Sequence, residues 1–153
     1  MAVGKPYRPV VAGRSNDSVA IGPQVAALVA GINAGEVPDR AQVRDAVRAL
    51  LTQLRERAPG RSVEVRVPPY GAVQCVAGPR HTRGTPPNVV ETDPLTFLLL
   101  CAGAVGFADA VATGRVRASG ARADLTPYLP LVGLKADPAR RPGDPPGVAP
   151  LPE

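Results

Sequence analysis

Apolar and polar positions along this chain of 153 residues fall into a run of short, separable patterns. Residues 1–17 show no sustained period. Gly22-Pro23 then opens a predicted helix, with proline at the first helical position. Val25, Leu28, Val29 and Ile32 repeat at i, i+3, i+4 and i+7, and Gly35 closes the run. A second helix is predicted from Asp39, a good N-cap with Gln42 at capping-box spacing. Val43, Ala46, Val47, Leu50, Leu51 and Leu54 form one apolar face, Arg40, Arg44, Arg48, Arg55 and Arg57 occupy the remainder, and Pro59-Gly60 ends it.

The period then changes from 3.6 to 2. Val63, Val65 and Val67 alternate with Glu64 and Arg66, as in a strand buried on one face. Pro68-Pro69-Tyr70-Gly71 marks a turn, and Ala72–Ala77 is a second strand, so an antiparallel hairpin is expected. Gly78–Pro87 is a loop, and residues 88–92 are a third strand. Asp93 and Pro94 open a helix that Gly103 ends. Residues 107–113 add a turn or two of helix. Arg115–Ser119 is a fourth strand with Val116 and Ala118 facing in, and Ala123–Leu131 is a last short helix. The run Leu95, Phe97, Leu98, Leu99, Leu100, Cys101 is apolar almost all round, so this helix must be buried or must wall something apolar. From Lys135 on the chain is proline-rich and without period, and is expected to be disordered.

Composition changes this picture little. The length suits one domain. With 19 prolines and 16 glycines, part of the chain should be loop or tail, and with aromatics at 3% the core must be Val, Leu and Ala. The net charge of +5 comes from arginine; Lys5 and Lys135 are the only lysines. An Arg, Ala, Pro, Gly and Val bias is what a GC-rich genome produces. Residues 36–133 hold 12 Arg against 9 acids, and no nucleic-acid partner is expected from so diffuse a charge. The Arg-rich helix face reads as a solvated exterior. No apolar run reaches the roughly 18 residues needed to span a bilayer. Val19–Ala34, behind Lys5, Arg8 and Arg14, loosely imitates a secretion signal, but Asp17, Pro23, Gln24 and Asn33 interrupt it.

Candidate chemistry is sparse. Cys75 and Cys101 lie in apolar runs without metal-ligand neighbours, which fits reduced, buried thiols and a cytoplasmic compartment. The one histidine sits in Arg80-His81-Thr82-Arg83-Gly84, either a solvated turn or an anion-binding loop. A thiol–His81 pair or a serine triad lacks its remaining members. Asp93 is accounted for as a helix cap, and Glu91 as a cross-sheet partner of Arg66 or Arg83. No metal, no cofactor and no enzyme activity are expected.

At this point the ordered block of elements resembles a known family. The segment DPLTFLLLCAGAVGFADAVATGRVRASG is similar to the C-terminal half of the sterol carrier protein domain. Asp93, Leu95, Gly103, Asp109, Gly114, Val116, Ser119, Gly120 and Leu125 carry the match, and VEVRVPPYGAVQCVAGPRHTRGTPPNVVETD looks like its bacterial, actinobacterial branch. Coverage is roughly residues 36–133, between an extension (1–35) with one short helix and the tail (134–153). The resemblance implies an α/β (α+β) fold, a mostly antiparallel sheet of four to five strands covered by helices. It also implies an apolar cavity between the layers that binds or carries a lipid or other apolar molecule. Val73, Cys75, Leu95, Leu98, Leu99, Phe107 and Val111 are the expected lining, and Arg80, His81 and Arg83 could meet a polar head group. The alternative is an accessory module with a fully packed core that docks a protein partner.

Overall fold

The fold is taken from a computed structural model that describes residues 16–79, 84 and 87–132, with side chains described from Ile21 on. Arg80, His81, Arg83, the expected disorder of the tail and the first fifteen residues lie outside it. The elements run α1 (Asn16–Asn33), α2 (Arg40–Arg57), β1 (Val63–Val67), β2 (Gly71–Cys75), β3 (Val89–Thr92), α3 (Pro94–Cys101), α4 (Phe107–Ala112) and β4 (Val116–Ser119), followed by a single 3₁₀ turn at Thr126–Tyr128.

The four strands among the described residues form one sheet in the order β2-β1-β3-β4. The pairs β1–β2 and β3–β4 are antiparallel, and β1–β3 is parallel. The sheet is therefore mixed, within the expected α+β class. The hairpin turns at Pro68-Pro69-Tyr70, where the Tyr70 N–H donates to the Val67 carbonyl at 2.9 Å. The chain must then cross β1 to reach β3 on its other side.

Register divides the sheet into two faces. Val63, Val65 and Val67 lie opposite Cys75, Val73 and Gly71, and Val65 lies beside Val90. This face is buried under the helices in one core with Val47, Leu50, Leu54 and Leu98. α2 packs on β2, α1 and α3 flank α2, and α4 packs on β4. Gly71 permits the close approach of α2: a Cβ there would stand 3.3 Å from Leu51 Cδ1. The other face carries Glu64, Arg66, Gln74, Glu91 and Arg117, all at least partly exposed. Arg66 donates to Glu64 and also feels the charge of Glu91. Glu91 lies between Arg66 and Arg117 in register, so the row alternates in sign.

Four local expectations are corrected. Pro23 lies inside α1 instead of opening it. Ile21, buried with Val25, Leu28 and Val29, extends the apolar stripe N-terminal of the proline, and packing outweighs the lost backbone bond. The second strand stops at Cys75 because Val76 takes φ 67°. Residues 123–131 form only a 3₁₀ turn, since Pro127 and Pro130 remove two helical donors. Ala118 shares the face of Val116 but is exposed, because β4 is an edge strand.

Candidate ligand site

The expected site is centred on α3, and its ends show why the helix sits where it does. At the start, Asp93 accepts from the Thr96 N–H at 2.9 Å and the Thr96 hydroxyl at 2.6 Å. At the end, Gly103 has φ 75°, and the Ala104 N–H reaches back to the Leu99 carbonyl at 2.9 Å, a glycine-closed helix end. The free Cys101 carbonyl then accepts from the Leu131 and Val132 N–H groups at 2.9 and 3.0 Å. Arg57, the last residue of α2, donates to the carbonyls of Tyr128 and Pro130. These bonds fold residues 128–132 across the end of α3. With α1 and α2 on its sides, every residue from Thr96 to Cys101 is buried.

A second junction fixes the far end of β2. Val76 is a β-branched residue in the left-handed region, an unfavourable place for it. Three bonds hold it there: its N–H donates to the Ala58 carbonyl at 2.7 Å, and its carbonyl accepts from the Ser62 N–H at 3.1 Å and the Ser62 hydroxyl at 2.7 Å. Gly60 is required opposite, because a side chain there would collide with the Val76 carbonyl. Asn88 plays the same part at β4, donating to the Ser62 carbonyl at 2.9 Å and accepting from the Arg122 N–H at 3.0 Å. A Cβ on Gly120 would strike Asn88 and the Pro87 carbonyl.

The structure distributes the expected lining residues over the whole width of the domain. Val73 and Cys75 face the helices from β2, Val73 half-buried and Cys75 fully buried. Leu98 and Leu99 are buried in α3, and Leu95 is half-buried in its first turn. Phe107 is buried in α4, while Val111 is 37% exposed. Six of these seven lie in or against one continuous core cluster; Val111 lies outside it. Of the set, Val73 also borders a groove of about 690 Å³ beside Arg55, Arg61 and Gln74. Arg57 is expected from sequence only on a solvated helix face, and Ser62, Val76 and Asn88 carry no expectation for the site. Their partners lie 14 or more residues away, beyond the reach of any local pattern.

The electrostatics of the site are those of a dry interior. Burial pushes the Cys75 thiol up to about 11 from the usual 9.0, and the Cys101 thiol higher still. A nucleophilic cysteine needs the opposite shift. Among the described residues no group of three His, Cys, Asp or Glu is placed to hold a metal ion, and no helix is long and apolar enough to cross a membrane.

Residues 39–131 match the family model described as bacterial SCP ortholog. The chain belongs to the bacterial sterol carrier protein family. No curated protein matches it. The family match begins at Asp39, the N-cap of α2, and ends at Leu131, which closes on the Cys101 carbonyl. In this sterol carrier protein domain α1 thus precedes the matched region, yet it supplies Ile21, Val25, Leu28 and Val29 to the same core.

Proposed function

We propose that this member of the sterol carrier protein family binds and carries a lipid or other apolar small molecule between its sheet and its helices, without catalysis. The observation that carries the reading is α3: six successive buried residues with no charged group among them, inside a family named for carriage. The proposed wall is Val73, Cys75, Leu95, Leu98, Leu99 and Phe107, with Val111 at its exposed rim; Arg80, His81 and Arg83 are proposed, from sequence alone, for the polar end of the ligand. β2 and β4 are separated by three interstrand spacings, about 14 Å, so this wall suits an elongated molecule lying across the strands. Leu98 and Cys75 are fully buried against protein, so the ligand enters by displacing side chains. Two free, buried thiols fit a reducing, cytoplasmic compartment.

The test is titration of the full chain with a fluorescent fatty-acid analogue. Saturable binding is expected, lost in Leu99→Trp at unchanged far-UV circular dichroism. A wild type that never binds the probe, together with an unfolded Leu99→Trp, overturns the carrier reading. The family member would then be an accessory module with a packed core.

A further inference from the structure

We propose that the free edge of β2 docks an extended, acidic segment of a partner protein by adding it as a fifth strand. β2 ends the strand order, so among the described residues one of its edges has no neighbour in the sheet. Register turns Val73 towards the helices and Ala72 and Gln74 towards the uncovered face. All three nevertheless border one groove of about 690 Å³ with Arg55 and Arg61. Side chains that alternate between faces can share a groove only if it runs along the strand edge, where the outward backbone N–H and C=O groups lie.

The two edges of the sheet are built differently. β4 carries Arg117, flanked by Arg115, and charged side chains on an edge discourage strand addition. β2 reads Gly71-Ala72-Val73-Gln74-Cys75, with no charge and no proline. An uncharged, proline-free edge is the usual template for an added strand.

Charge selects the occupant. Arg55 and Arg61 are both exposed, and no carboxylate borders the groove among the described residues. Arg61 donates through Nε to Gln74 Oε1 at 3.0 Å, which holds its guanidinium beside the strand. A second copy paired edge to edge would set Arg55 and Arg61 against like charges. The chain's own ends fit poorly. Residues 1–15 contain Lys5, Arg8 and Arg14 but no acid, and residues 133–153 are interrupted by prolines, which cannot donate to a ladder. An acidic, extended segment of another protein satisfies both the edge and the two arginines.

The experiment titrates the isotope-labelled full chain with two capped heptapeptides, one alternating glutamate with valine and one with lysine in place of glutamate. The acidic peptide should shift the amide signals of Ala72 to Gln74 and bind about tenfold more tightly than the lysine peptide, a difference of about 1.4 kcal/mol. Added salt should narrow that gap. The double variant Arg55→Glu/Arg61→Glu should reverse the preference, and Arg55→Ala/Arg61→Ala should abolish it; either serves if the other fails to fold. Equal binding of the two peptides, shifts that avoid β2, a preference that survives the substitutions, or self-association through β2 would each overturn the proposal.

Discussion

α2 and α3 are neighbouring helices of one core, and they meet their surroundings in opposite ways. α2 is 18 residues long and buries a single stripe, Val43, Ala46, Val47, Leu50, Leu51 and Leu54, with arginines on the outside. α3 is 8 residues long and buries every position from Thr96 to Cys101. The difference follows from how much of each helix is enclosed: α2 keeps one face wet along its whole length, and α3 keeps none from Thr96 to Cys101. α2 lies on the sheet between α1 and α3, and its arginine-bearing outer face is in solvent. α3 has helices on its sides and the 128–132 segment folded over its end. The width of an apolar stripe therefore records how much of a helix's circumference is covered, not how many elements touch it. In α3 that width also sets the stakes of substitution, since there is no wet side onto which a misfit can relax.

The sharpest test is Leu98→Ala. Leu98 has no solvent exposure, and a buried leucine cut to alanine costs roughly 2–5 kcal/mol, the upper end applying where the site cannot collapse. Chemical denaturation should show a shift in this range with unchanged slope. A cost well below it would mean that the space around Leu98 is already loose, as a ligand cavity would make it, and would strengthen the carrier reading.

Next is the response of the thiols to pH. Folding holds both cysteines protonated beyond their usual 9.0. Above pH 9 the unfolded chain loses thiol protons that the folded chain keeps, so the unfolded state binds fewer protons and stability falls. The thiol contribution is complete below pH 9 and declines as pH rises towards 11, by at most about 1.4 kcal/mol per pH unit for each cysteine. Thermal unfolding should show this decline, and a Cys75→Ala/Cys101→Ala variant should flatten it. Equal slopes in the two proteins would show that the interior around α3 and β2 is not dry.

Much of this was legible in the sequence because the signals were local. The periodicity of α2, its Asp39 cap and the alternation of β1 each lie within one turn or one strand. The all-round apolar run of α3 announced its burial in the same way. What stayed hidden depends on distant partners. Nothing near Val76 indicates that it will leave the strand conformation. That follows from Ala58 and Ser62, which hold its backbone from across the hairpin. The parallel β1–β3 pairing was hidden too, since it depends on a crossing that no period records. Strand order matters most for the site. The expected wall carries no strand order; β2 and β4 are the two outer strands and α4 packs on β4, so Val73 and Phe107 lie towards opposite sides of the sheet.

A smaller effect compares the same substitution in the two helices. Thr96→Ala in α3 removes a buried hydroxyl that donates to the Asp93 carboxylate at 2.6 Å. Asp93 keeps its bond from the Thr96 N–H at 2.9 Å, so the cap is weakened rather than lost. A bond to a charged acceptor contributes about 1.5–3 kcal/mol. With the cap half retained, a loss near the lower end is expected in the denaturation midpoint. No loss would show that the N–H bond alone fixes the start of α3.

Thr52→Ala in α2 should have the opposite sign. Thr52 is exposed, and its hydroxyl donates back to the Arg48 carbonyl at 3.1 Å, one turn earlier. Such a back-bond competes with the helix's own ladder and tends to bend it. A β-branched residue also loses side-chain freedom in a helix, where alanine loses none. Nothing buried depends on this hydroxyl. Helix propensity alone then favours alanine, by up to roughly 0.5 kcal/mol, which a matched pair of denaturation curves can resolve. If Thr52→Ala destabilises the protein, the outer face of α2 is covered in solution by something that needs the threonine, and α2 is closer to α3 in its surroundings than its stripe implies.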